Sequence, residues 1–410
     1  MVTILEQVSL SVTCDLEPRA GLRELCCRER RVADEVKKAV AFVDGRRSCT
    51  LKYATDHQTS GISAVKMPIN RVLEYMRFGD PTKVLQLVEK AMPNAPGAGQ
   101  VVVKWIASPI NPLDLNKISG TYPAHSAKFP CIGGSEAVGI IDKVGSGVKG
   151  LAAGDKVISA LLKYPVWANY KLCGANEVRK VDDRLSTEFA ATLLINPSTA
   201  YCMLKEYVDL SRGDYVIQNC ADSSVGQNVI LLAKEWGYKT INTVWDRPGA
   251  EESKKRLKEL GADYVFTDNE FAKDGKKMIK SLKVPIKLAL NGVGGPSIQK
   301  ISSVLAKGAS VVTYGGMSLK RHEFSTGSFV FNDLRAFGFA IFDYLEKPEN
   351  QQKADKMFRW LQDLNAKGGI HPPEMEKCSM DEYAKAIAKS TEGGHLKQLL
   401  YFDSTFMNKH

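Results

Sequence analysis

The stretch Ala221-Asp222-Ser223-Ser224-Val225-Gly226-Gln227 follows an apolar run at 215–220 and opens an amphipathic one at 225–236. A dinucleotide-binding fold needs a tight turn at such a place, because the pyrophosphate rests on the free N–H groups that begin the helix. Of the usual glycines only Gly226 survives, and Ser223 and Ser224 offer hydroxyl donors to phosphate in place of closely approaching backbone. After the next apolar run stand Trp245-Asp246-Arg247-Pro248. An acid there binds the ribose 2′-hydroxyl of NAD, whereas an arginine binds the 2′-phosphate of NADP. Arg247 favours NADPH and Asp246 leaves NADH open; the bland alternative for Arg247 is a solvated charge at a helix start. Trp245 either covers the adenine or packs on the surface.

A second element is Gly120-Thr121-Tyr122-Pro123. A phenol titrating near ~10 is protonated at neutral pH and can give a hydrogen bond or a proton. Composition alone makes Tyr122 a packing residue. The nine cysteines form no Cys-x-x-Cys, and their odd number fits no disulfide framework, so a structural zinc is not expected and a reducing compartment is. The formal net charge is +10, yet Lys and Arg occur in pairs rather than blocks, which argues against a nucleic-acid arm. No apolar run approaches the ~18 residues of a membrane span.

These groups need a scaffold to converge. From about 70 to 185 the chain is β-rich, with apolar runs at 101–106, 139–144 and 156–161 punctuated by Gly and Pro. From about 210 strands at 215–220, 239–244, 264–267, 287–292 and 309–316 alternate with helices at 225–236, 251–260 and 296–305. That rhythm predicts an α/β class: a doubly wound parallel (Rossmann) sheet beside a β-rich, barrel-like domain. A long helix at 350–366 and a β-α-β tail return the chain to the first domain, and the last eight residues are expected to fray. The expected partition is an extension at 1–66, a catalytic domain at 67–190 and 345–403, and a cofactor domain at 191–344. The extension carries eleven Lys/Arg, nine Asp/Glu and four of the cysteines. Its arginines suit a transit segment and its acids do not.

Gly134-Ser135-Glu136-Ala137-Val138-Gly139, continued by Val148 and Gly154-Asp155-Lys156-Val157, resembles the medium-chain dehydrogenase/reductase superfamily. Zinc-dependent members carry Gly-His-Glu where this chain has Ser135, and the loop 108–116 lacks their cysteine ligand. Two lost ligands leave no catalytic metal. Ile195-Asn196-Pro197-Ser198-Thr199-Ala200-Tyr201, Gln218-Asn219, Val225-Gly226-Gln227, Asp246-Arg247-Pro248, Leu290-Asn291-Gly292-Val293-Gly294-Gly295 and Tyr314-Gly315-Gly316-Met317 follow in order. Together they resemble the mitochondrial trans-2-enoyl-CoA (enoyl-acyl-carrier-protein) reductases over about 68–402. The resemblance implies NADPH-dependent reduction of a trans-2-enoyl thioester of CoA or acyl carrier protein, a homodimer and a mitochondrial matrix location. It implies Tyr122 as the catalytic residue. For the cofactor it implies Asn196, Asp222, Ser223, Ser224, Val225, Trp245, Asp246, Arg247, Tyr314, Gly315, Gly316, Met317, Phe339, Ala340, Ile341 and Lys397. Trp245 and Ala340 depart from the family, where a second Arg and a large aromatic are common. The net positive charge would steer an acidic carrier. The competing readings are a zinc-free quinone or alkenal reductase, and a catalytically lapsed NADPH-binding regulatory protein.

Overall fold

A computed structural model describes residues 69–122, 128–160 and 165–407. The extension at 1–66 and His125 lie outside the described residues. Strands β1 (Ile69–Tyr75), β2 (Leu85–Ala91) and β3 (Gln100–Pro109) come first, then helix α1 (Pro112–Ser119). Next are β4 (Cys131–Ile132), β5 (Val138–Val144), β6 (Lys156–Ser159), β7 (Tyr170–Gly174) and β8 (Val178–Lys180). Two sheets result, one of order β2-β1-β4 and a larger one of order β15-β16-β3-β5-β6-β8, in which β7 also pairs with β3. Strand β3 is long and buried along most of its length, Val101 to Pro109, so it can serve as the sheet's spine.

Helices α2 (Thr187–Thr192) and α3 (Asn196–Lys205) lead into the alternating part. It runs β9 (Tyr215–Gln218), α4 (Ser224–Trp236), β10 (Lys239–Val244), α5 (Ala250–Leu260), β11 (Tyr264–Thr267), α6 (Lys276–Leu282), β12 (Ile286–Asn291), α7 (Gly295–Ser302), β13 (Ser310–Thr313) and β14 (Arg335–Gly338). The strands form one parallel sheet ordered β11-β10-β9-β12-β13-β14. The strand order reverses beside β9, and in such sheets ligands bind at the carboxyl ends of the strands at that point. Then come α8 (Ile341–Glu346), α9 (Gln351–Ala366), β15 (Met375–Ser379), α10 (Tyr383–Glu392) and β16 (Lys397–Tyr401).

The α/β class with a Rossmann sheet and a β-rich part is therefore what the chain forms. The tail is the expected β-α-β unit, with β16 laid antiparallel on β3. One buried cluster joins the parts: Ile106, Val138, Leu193, Leu204, Val216 and Leu288 pack with Met357, Phe358 and Leu361 of α9. Two local expectations change. Residues 403–407 are tied down, since Asp403 accepts from Lys104 Nζ at 2.7 Å and from Thr405 N at 3.0 Å. Helical structure also fills 268–282, where Thr267 and Glu270 cap each other reciprocally.

Candidate functional site

Tyr122 follows α1, whose last turn closes on Gly120 with φ +79°. A Cβ at Gly120 would stand 2.8 Å from the Phe78 ring, so both backbone and space call for glycine. The backbone N–H groups of Thr121 and Tyr122 then both donate to Asn116 O, at 3.0 and 3.2 Å, which fixes where the tyrosine leaves the helix. Burial, reinforced by the Asp343 carboxylate, raises the Tyr122 pKa above its ordinary value, so the phenol holds its proton at neutral pH.

At the other end of α1 begins a set of buried polar groups. Asn111, just ahead of α1, donates from Nδ2 to Glu136 Oε1 at 2.9 Å, and its backbone N–H donates to Asp114 Oδ2 at 2.8 Å. Glu136 Oε2 accepts from Ile195 N at 3.0 Å, directly before Asn196 opens α3. Lys397, the first residue of β16, donates to Asn111 Oδ1 at 2.7 Å, and Asn196 Nδ2 approaches the same oxygen at 3.5 Å. Burial raises the pKa of Glu136, opposed by Lys397; burial lowers that of Lys397, opposed by Glu136 and Asp114. Asp114 is likewise raised by burial, against donors that include Ser135.

Ser135 is the position that bears on a metal. It is completely buried, and its hydroxyl accepts from Lys117 Nζ at 3.1 Å. An ammonium thus abuts Ser135, and a hydroxyl beside an ammonium is a poor zinc ligand. Among the described residues no group of three His, Cys, Asp or Glu side chains is placed to hold a metal ion. The residues present do not fit zinc.

They do fit a dinucleotide. Ser223 caps α4, its Oγ accepting from Gly226 N at 3.1 Å. A Cβ at Gly226 would lie 2.5 Å from Ala221 O, so a larger residue would force the turn open. Ser224 is the first residue of α4 and Val225 turns its side chain into the core, which leaves its role to the backbone. The loop after β13 folds back on the one after β12: Tyr314 N donates to Asn291 O and Met317 N to Gly292 O, both at 3.0 Å. The Tyr314 hydroxyl is buried near Ser223 without a satisfying partner, an orphaned donor at the turn where a cofactor would lie. Gly315 and Gly316 continue that loop, and Met317 is exposed.

The remaining expected residues divide. Arg247 Nη2 donates to Asp222 Oδ2 at 2.7 Å, so these two do come together. Asp246 accepts instead from Asn269 N at 2.9 Å and so serves the next helical turn, and Trp245 is 69% exposed with no ring contact to either neighbour. Phe339 packs against Tyr207 and Tyr344, Ala340 precedes α8, and Ile341 is buried in the core, so of this trio only Phe339 and Ala340 are half-buried. Sequence reasoning missed Asn111, Asp114, Lys117 and Glu136. The available signal was an acid and an amide in Gly-Ser-Glu and Pro-Ile-Asn-Pro, segments that were read as turns and as lost metal ligands.

The sequence pattern of the alcohol dehydrogenase GroES-like domain matches residues 97–218, and that of the zinc-binding dehydrogenases matches 224–362. The mitochondrial enoyl-(acyl-carrier-protein) reductase of Caenorhabditis elegans is 45% identical over 341 residues, 83% of this chain and 98% of its own length. The solved complex of Etr1p with NADP and crotonyl-CoA is 28% identical, with a TM-score of 0.76 over 82% of this chain and 100% of that one. The Etr1p/Etr2p heterodimer of Candida tropicalis, a mitochondrial 2-enoyl thioester reductase, gives 28% identity and a TM-score of 0.75 over the same shares, 82% and 100%.

Proposed function

This chain belongs to the family of mitochondrial enoyl-(acyl-carrier-protein) reductases, and from that premise we propose what its residues do. It is an NADPH-dependent oxidoreductase that reduces the 2,3 double bond of trans-2-enoyl thioesters. Bound NADPH supplies the hydride that ends on the β-carbon of the substrate. Tyr122 gives a hydrogen bond or proton as negative charge develops on the thioester and the α-carbon is protonated. A fixed donor aimed at such charge is worth roughly 3–4 kcal/mol of barrier. The backbone of Asp222 and Val225 and the hydroxyls of Ser223 and Ser224 hold the phosphates with the α4 N-terminus, and Arg247 takes the 2′-phosphate. Tyr314 to Met317, Phe339, Ala340 and Asn196 border the nicotinamide end, and Lys397 orients Asn111 and Asn196 beneath it. The observation that carries the reading is Tyr122 itself, fixed at the end of α1 by the backbone bonds of Thr121 and Tyr122 to Asn116 O.

The test is steady-state NADPH oxidation by the full chain with crotonyl-CoA and, separately, with a quinone. Turnover on the enoyl thioester far above that on quinone supports the assignment. Quinone turnover alone makes the chain a quinone reductase, and tight NADPH binding without turnover makes it a regulatory binder.

The same reading extends to organisation. The parts doing catalysis are 67–190 with 345–403, and the cofactor part is 191–344. Relatives are named as mitochondrial, and we place this chain in the matrix with 1–66 as its transit segment. No helix among the described residues is long and apolar enough to cross a membrane. Strand β14 ends the six-stranded sheet, its four residues are exposed, and Val330, Phe331 and Phe337 are exposed around it. An unpaired apolar edge invites a second strand, and a second copy of this chain pairing there forms the homodimer. Phe337→Asp should then shift the sedimenting species from dimer to monomer.

A further inference from the structure

Arg247 is already engaged before any phosphate arrives. Its Nη2 donates to Asp222 Oδ2 at 2.7 Å, and the two side chains are only 24% and 16% exposed. A pair this shielded is screened less by salt and water than a surface ion pair. Nη1 lies beside the turn between α10 and β16, where a Cβ on Gly394 would stand 3.2 Å from it. Asp222 itself belongs to the turn that starts α4, with its carbonyl accepting from Gln227 Nε2 at 2.9 Å, so the carboxylate cannot drift far from the phosphate path. The neighbouring acid Asp246 is occupied by the Asn269 N–H. Asp222 is therefore the carboxylate that faces the Arg247 guanidinium.

We propose that Asp222 is a selectivity-determining residue of this chain: by holding Arg247 it limits what a 2′-phosphate can gain there, and so narrows the preference for NADPH over NADH. The inference rests on the reading of Arg247 as the 2′-phosphate partner. A 2′-phosphate must share the guanidinium with a carboxylate and sit close to a like charge, which weakens the charge-assisted contact. A 2′-hydroxyl carries no charge to be repelled. The pre-formed pair thus acts as a competing state that only the phosphorylated cofactor must disturb.

The test is calorimetric titration of the full chain, without enoyl substrate, using NADP+, NAD+, 2′,5′-ADP and 5′-AMP. It compares the unaltered chain with Asp222→Asn, Arg247→Ala and the double variant; Asp222→Ser repeats the charge removal if Asn disturbs the turn. Asp222→Asn should tighten NADP+ and 2′,5′-ADP by about tenfold, the scale of a typical coupling between charged neighbours, and leave NAD+ and 5′-AMP within about twofold. In the Arg247→Ala background that gain should vanish, because the effect passes through the guanidinium. An unchanged NADP+ to NAD+ ratio in both Asp222 variants overturns the proposal. So does equal loosening of all four ligands, which would make Asp222 a structural part of the turn, and so does a gain that survives without Arg247. If Arg247→Ala leaves 2′,5′-ADP binding intact, the 2′-phosphate reading itself fails, and that outcome is distinct from a failure of Asp222 alone.

Discussion

Glu136 and Lys397 hold the two ends of one side-chain amide. Asn111 donates from Nδ2 to Glu136 Oε1 at 2.9 Å, and its Oδ1 accepts from Lys397 Nζ at 2.7 Å. The orientation of the amide is dictated by charge, since a flip would set NH2 against an ammonium and a carbonyl against a carboxylate. The second Glu136 oxygen takes the Ile195 N–H, so one carboxylate joins the residue before Asn196 to the loop that leads into α1 and Tyr122.

Burial raises the Glu136 pKa, so its contribution to stability is fully present below its unfolded value and is lost as pH rises through the folded one, pushed up to about 7. Glu136→Gln keeps one of the two acceptors, loses the other at any pH, and removes that titration. Chemical denaturation of the two proteins at pH 5 and pH 8 should therefore show the variant's deficit shrinking at the higher pH, by on the order of 1–3 kcal/mol. A deficit that is constant or grows with pH would mean that Glu136 is held as an unstrained carboxylate.

Tyr122→Phe removes one hydroxyl from a loop held by backbone bonds to Asn116, so fold and cofactor affinity should survive. Turnover should fall by roughly 10²–10⁴-fold, as for a positioned acid. His125→Ala should cost much less. Near-normal turnover in Tyr122→Phe, with loss in His125→Ala, would transfer the role to the histidine.

Gly120→Ala introduces a side chain at φ +79° and 2.8 Å from the Phe78 ring. The expected loss is about 1–3 kcal/mol of stability for the strained conformation, read from a thermal melt. A fall in kcat larger than in Gly99→Ala, where φ is +71° but the space is open, would show that the placement of Tyr122 is what suffers.

With Ser135 accepting from Lys117, elemental analysis of the purified chain should find no stoichiometric zinc, and chelators should leave turnover unchanged. Tightly bound zinc at one per chain, required for activity, would refute this.

The Rossmann part was legible because its strands are local: β10 and β11 fall on the residues expected, since each is a short run buried in a parallel sheet and bounded by a turn. The buried polar set was not, because Glu136 stands 25 positions from Asn111 and Lys397 stands 286 from it, and no periodicity connects them. The contact that Asp246 makes was not legible for a different reason. Its position at the end of β10 is the expected one, but which way a carboxylate turns depends on a neighbouring N–H, here that of Asn269.

The antiparallel pairing of β16 with β3 has a consequence for biosynthesis. The spine strand is translated before the parallel sheet and its neighbour after it, with the whole sheet made in between. A chain emerging from the ribosome can complete the parallel sheet while one edge of β3 still lacks its final partner, a state prone to wrong pairing. Lys397 arrives with that later strand, so the buried polar set around Asn111 is complete only after the parallel sheet has been made.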